Sequence, residues 1–247
     1  VKPDLWVLTC APGSRVAEAL ELFESLETPI GRRVVVTTMP DPIRVFPGSL
    51  FLYPDTDINI SKWWTIGLEW IASHYVHEDD IWDVLIIETD ARMTPEDVET
   101  VREHMRVLDC TMAGADWRHV LGSAPYHVRR DNSSWVPDQT YPDAGRIPGI
   151  ACVIAGETGI RHDPKFRWWL ADDDFEWQHR ACGGTVLVAN TTVRHEGTQG
   201  ELQGERLAAW NQDQGRFWDK WGGMPGTGGI LPVVEVQSVE HDQLTVQ

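Results

Sequence analysis

Trp82-Asp83-Val84-Leu85-Ile86-Ile87-Glu88-Thr89-Asp90-Ala91-Arg92 is the stretch around which the chain organises itself. Trp82 to Ile87 is nearly all apolar, with no polar alternation, as expected of a strand covered on both faces in a parallel sheet. It breaks off at Glu88-Thr89-Asp90. A helix signal follows at once: Thr94 as N-cap, Pro95 in the first turn and Asp97 at the capping-box position. Val98, Val101, Met105 and Leu108 then supply a buried stripe at helical spacing. A buried strand feeding a capped helix predicts an α/β fold, whose ligands bind at the carboxyl edge of the strands.

Toward the N-terminus the same alternation recurs. Leu5–Thr9 reads as a strand ending in the turn Ala11-Pro12-Gly13. Val16, Leu20, Phe23 and Leu26 mark a helix, and Arg33–Thr38 is a β-branched strand stopped by Met39-Pro40-Asp41-Pro42. From Asn59 to Ala72 a second helix fits, with Trp63, Ile66, Trp70 and Ile71 on one side. Toward the C-terminus, 116–148 is rich in Pro, Asn, Ser and Asp and reads as loops with short strands. Ile150–Ala155 is a buried strand, Asp172–Cys182 a short polar helix and Val186–Ala189 a strand. Leu207, Trp210, Phe217 and Trp221 mark a last amphipathic helix. The glycine-rich 222–229 lacks the Lys-Ser/Thr ending of a phosphate loop and reads as the start of a tail.

Composition narrows the function. The 247 residues are 42% hydrophobic and 24% charged, ordinary for a globular chain. A formal charge of −17 opposes binding to a nucleic-acid backbone, which needs clustered Lys and Arg. It suits a carboxylate-held divalent cation that neutralises a phosphorylated substrate. No apolar run approaches the roughly 20 residues needed to span a bilayer. Cys10, Cys110, Cys152 and Cys182 show no C-x-x-C pair and read as buried thiols in a reducing compartment, the cytoplasm. The 13 tryptophans are mostly core material, though indoles also stack well on sugar rings.

Three constellations carry chemistry. In Glu88-Thr89-Asp90, two acids one residue apart at a strand end can reach a ribose and a metal, although acids before a helix also simply complement its dipole. In Asp172-Asp173-Asp174-Phe175-Glu176-Trp177, adjacent carboxylates raise one another's proton affinity, which suits a general base. A solvated helix start is the plainer alternative, and the surrounding Trp168, Trp169, Phe175 and Trp177 argue against it. His195, just after a strand, can complete a metal site otherwise made of oxygens.

In order, these motifs resemble the inverting glycosyltransferases of family 2. The likeness is strongest from Gly149 to Gly197: a strand Gly149–Ile154, a Pro-Lys-Phe segment, the acidic cluster, Arg180, a Gly-Gly, an apolar strand and a His. Asp83–Asp90 is similar to the strand that leads into the family's DXD motif, with Glu88 in place of the usual first Asp.

The resemblance implies a GT-A fold, with a mostly parallel central sheet flanked by helices. Residues 1–115 would form a nucleotide-sugar-binding half, 116–221 an acceptor-binding and catalytic half, and 222–247 a tail. It further implies a metal-dependent, inverting transfer from a nucleoside-diphosphate sugar to a hydroxyl of a carbohydrate or protein acceptor. Asp90 and His195 would hold Mn²⁺ or Mg²⁺. Glu88 and Thr89 would lie near the ribose, and Asn59, Lys62, Trp63, Thr9, Ala11 and Asp41 around the donor. Asp174 would be the base, with Asp173 the alternative register. A sugar nucleotidyltransferase fits less well, because Ala11-Pro12-Gly13-Ser14-Arg15 offers only one Gly and one Arg. A non-catalytic carbohydrate-binding protein on the same scaffold is the third possibility.

Overall fold

The computed structural model describes residues 3–39, 50–52, 59–75, 77, 80–117, 119, 121–130, 147, 149–195 and 204–222. Asp41, Gly197, residues 131–146 of the acceptor-side loops and residues 223–247 of the tail lie outside the described residues.

Strands β1 (Asp4–Cys10), β2 (Arg33–Val36), β3 (Leu50–Leu52), β4 (Trp82–Ile87), β6 (Met112–Ala115), β7 (Tyr126–Arg129), β8 (Ala151–Ala155) and β9 (Thr185–Val188) form one sheet, in the order β3-β2-β1-β4-β8-β6-β9-β7. β3, β2, β1 and β4 run parallel, and so do β6 and β9. β8 is antiparallel to both β4 and β6, with Ile87 opposite Ala151, and β7 is antiparallel to β9. Among the described residues, β5 (Ala91–Arg92) and β10 (Arg194–His195) make a separate two-stranded ladder.

Because successive side chains of a strand face opposite ways, the sheet supports two cores. Val7, Leu85, Ile87 and Val153 pack with α1 (Val16–Ser25) and α3 (Pro95–Val107). Trp6, Leu8, Val84, Ile86 and Ile154 pack with α2 (Ile60–Ala72) on the other face. A third cluster of Phe166, Leu170, Trp177, Trp210 and Phe217 joins α4 (Ala171–Cys182) to α5 (Glu205–Trp221).

Helix signals in the sequence are realised locally. Thr94 caps α3 by accepting the Asp97 N–H, and Pro95 occupies the first turn. Asn59 caps α2 by accepting the Lys62 N–H. The buried face of α2 is rotated from the expected one: Trp63, Trp64, Gly67, Leu68 and Ile71 are buried, while Ile66 and Trp70 are half-buried. The reason is a close approach to β1. A Cβ on Gly67 would lie 2.4 Å from Leu8 Cδ1, so the glycine turns toward the sheet and carries its neighbours with it. One other expectation changes: Cys182 is exposed rather than buried. As its aromatic surroundings suggested, α4 is not a solvated helix; it buries Asp173, Asp174, Glu176, His179 and Arg180.

Asp83 is the one charged residue within β4, fully buried, and it is neutralised by the guanidinium groups of Arg102 and Arg106 from α3. This pair of ion pairs lets a carboxylate sit inside an otherwise apolar strand.

Candidate active site

β1, β2 and β4 all end at one edge of the sheet, and the chain beyond β4 turns there through Glu88-Thr89-Asp90. Glu88 is anchored by donating its N–H to Ile150 O at 2.9 Å. Asp90 is followed directly by β5, whose Ala91 stands opposite His195 in the β5–β10 ladder. That pairing brings the imidazole to the acids: His195 Nε2 lies 3.3 Å from Glu88 Oε2 and 3.4 Å from Asp90 Oδ1. One ligand atom from each of the three lies within 4.8 Å of the others.

Burial and the Asp90 charge push the Glu88 carboxyl above its ordinary range, against the opposing pull of His195. For Asp90, burial works upward, but the hydrogen bond and charge of Arg15 outweigh it and the carboxyl is held below its ordinary range. Asp90 Oδ1 is buried with no hydrogen-bond donor, aimed into the group. Two carboxylates, an imidazole and an orphaned acceptor oxygen fit a divalent cation of the Mn²⁺ or Mg²⁺ type.

The acidic cluster at the start of α4 divides between two neighbourhoods. Asp172 packs on Gly149: a Cβ there would lie 2.4 Å from the Asp172 Cβ. Gly149 leads into Ile150, the residue bonded to Glu88, and the Asp172 charge acts to raise the Glu88 pKa. Asp172 therefore belongs to the edge that carries Glu88, Asp90 and His195.

Asp174, expected as the base, faces the other way and is fully buried. Lys220 Nζ of α5 lies 2.7 Å from its Oδ1, Trp221 Nε1 donates to Oδ1 at 2.8 Å and Gln178 Nε2 donates to Oδ2 at 2.8 Å. These three donors surround the Asp174 carboxylate and join α4 to α5. Asp173 is buried as well, at 2% exposure.

The expected donor contacts also divide. Thr9 is buried and donates to Ile87 O, Ala11 is buried, and the Trp63 indole lies in the α2 core, so none of these side chains is presented to a ligand. Thr89 is buried and donates to Glu18 Oε2. Asn59 and Lys62 sit at the half-buried start of α2. Sequence analysis missed Arg15, which closes the 3-10 turn Gly13–Arg15 after β1 and donates to Asp90 Oδ2 at 2.5 Å. The signal was a lone basic residue just past a strand end.

No protein-family model matches the chain, and no curated protein matches it. Solved structures do. S. aureus TarS residues 1–349 in complex with UDP superposes with a TM-score of 0.52 at 10% identity, over 87% of this chain and 66% of that one. The complex of the same protein with UDP-GlcNAc gives 0.52 and 10%, over 87% and 67%. TarS 1–349 alone gives 0.50 and 10%, over 98% and 77%. The TarS structures have the GT-A fold.

The fold is GT-A.

The chain spans 43% of the longer TarS structure. Among the described residues of this GT-A domain, no helix is long and apolar enough to cross a membrane.

Proposed function

We propose that the chain is a glycosyltransferase that moves a sugar from a nucleoside-diphosphate donor to an acceptor hydroxyl, with inversion at the anomeric carbon. The observation that carries this is the convergence of Glu88, Asp90 and His195 at the carboxyl edge of a GT-A sheet. The TarS structures, two of them with UDP or UDP-GlcNAc, support a donor of the same class.

Glu88, Asp90 and His195 would hold Mn²⁺ or Mg²⁺. Such an ion, when bound, supplies positive charge against the departing diphosphate. Asp172 takes the proton of the acceptor hydroxyl, whose oxygen bonds to the anomeric carbon as the bond to the diphosphate oxygen breaks. One base and no protein nucleophile give inversion. The half-buried position of Asp172 beside Gly149 supports this role better than the enclosed Asp174.

The acceptor is a carbohydrate or a protein. Nucleic acid is disfavoured by the charge of −17. The four free cysteines support a reducing compartment such as the cytoplasm. The test is incubation with a panel of nucleotide-sugars, with Mn²⁺ or with chelator, reading nucleoside-diphosphate release. Release from at least one donor, lost with chelator, supports the proposal; no release from any donor, with no nucleotide binding, sinks it.

A further inference from the structure

Asp90 offers its two oxygens to different partners. Oδ1 faces His195 at 3.4 Å, while Oδ2 accepts from the Arg15 guanidinium at 2.5 Å. Arg15 holds a second carboxylate, with its Nε 3.0 Å from Glu18 Oε2. Its side chain is 37% exposed, on a short turn rather than inside a helix.

We propose that Arg15 is an exchangeable counter-ion: it balances Asp90 in the cation-free protein, and moves onto the donor's phosphate oxygens when a divalent cation takes Asp90. The inference rests on the cation and donor site proposed above, and goes beyond it by naming how the two ligands are coupled.

Electrostatics favours such an exchange. A divalent ion beside Asp90 repels a guanidinium bonded to the same carboxylate, and the side chain is exposed enough to leave. Glu18 stays at the root of Arg15 as a tether, keeping it at the sheet edge while its fork is free. A guanidinium fork matches two phosphate oxygens, which a diphosphate brings to this edge as the second negative group. Each ligand then favours the other: the cation frees Arg15 for phosphate, and phosphate holds Arg15 away from Asp90. This coupling is reciprocal.

The experiment uses the full chain as wild type, Arg15→Met, Arg15→Lys and Asp90→Asn, each first checked for an unchanged thermal midpoint. Mn²⁺ binding is followed by the spin-resonance signal of free Mn²⁺, without nucleotide. UDP binding is then measured calorimetrically at saturating Mn²⁺. Arg15→Met binds Mn²⁺ about two- to fivefold more tightly than wild type, the scale of a partly exposed ion pair removed. It binds UDP about ten- to a hundredfold more weakly, the scale of a lost charge-assisted hydrogen bond. Arg15→Lys recovers part of the UDP affinity.

Opposite signs for the two ligands are the signature of exchange, because a merely bracing arginine would weaken both or neither. Unchanged or weaker Mn²⁺ binding in Arg15→Met, with Asp90→Asn abolishing it, overturns the exchange and leaves the cation site standing. Mn²⁺ binding that Asp90→Asn does not alter overturns the site, and the exchange with it.

Discussion

Lys220, one residue before the end of α5, places its ammonium 2.7 Å from the fully buried carboxylate of Asp174 in the first turn of α4. Asp213, also from α5, accepts the backbone N–H of Trp169 at 3.1 Å, just before α4 begins. α5 thus fastens the entry of the helix that carries Asp172.

Removing Lys220 leaves a buried charge with only Trp221 and Gln178 as donors. Breaking a fully buried pair costs about 3–5 kcal/mol, and Lys220 is one third exposed, so Lys220→Met is expected to cost roughly 2–3 kcal/mol. Urea unfolding measures it. The double variant Lys220→Met/Asp174→Asn is expected to regain part of the loss; additive losses in the double variant would show that the pair is not coupled.

The division of the acidic cluster predicts different phenotypes for neighbouring acids. Asp172→Asn lowers the transfer rate about a hundred- to ten-thousand-fold, the usual worth of a general base, with donor affinity and unfolding midpoint preserved. Asp174→Asn acts mainly on the unfolding midpoint. Reversal of these two patterns would return the role of base to Asp174.

His195 contributes the only nitrogen ligand of the three-residue group. His195→Ala is expected to weaken Mn²⁺ binding at least about tenfold while leaving the fold intact, since only the two-residue β5–β10 ladder depends on its position. Calorimetric titration with Mn²⁺ reads this directly. Equal affinity would remove the imidazole from the site.

Two histidines predict acid sensitivity elsewhere. His162 stacks on Phe175 with ring centroids 3.8 Å apart, and His179 meets the same ring edge-on at 4.6 Å. Burial lowers each to about 3, with Asp172 opposing the shift at His162 and with His162 and Arg161 adding to it at His179. Because the folded values are depressed, their stabilising effect is complete above the unfolded value of about 6.5 and is lost as pH falls toward about 3. The slope is on the order of 1 kcal/mol per pH unit for each ring. Thermal midpoints between pH 7 and 4 check it, and His179→Leu is expected to flatten the curve.

Much of this fold was legible from short-range chemistry. The α3 start is a local matter of Thr94, Pro95 and Asp97, and β4 announces itself as an apolar run, so both come out where expected. The approach of His195 to Asp90 was suggested by motif order, with Glu88 expected near the ribose instead, because it depends on a two-residue ladder with no pattern of its own. The different surroundings of Asp172 and Asp174 needed coordinates: residues two apart on a helix point roughly 200° apart, so a shift of two positions exchanges the sheet edge for α5. Arg15 escaped notice because nothing local distinguishes it from any solvated arginine.

The β5–β10 ladder joins two segments that lie far apart in the sequence, and it is only two residues long on each side. His195 therefore reaches Asp90 only after β9 and the strands before it have been laid down, since so small a ladder cannot assemble by itself. For the proposed cation site, divalent-ion affinity would then gauge completed folding: truncated or partly folded chains would keep both acids and lack the clasp that finishes the cage.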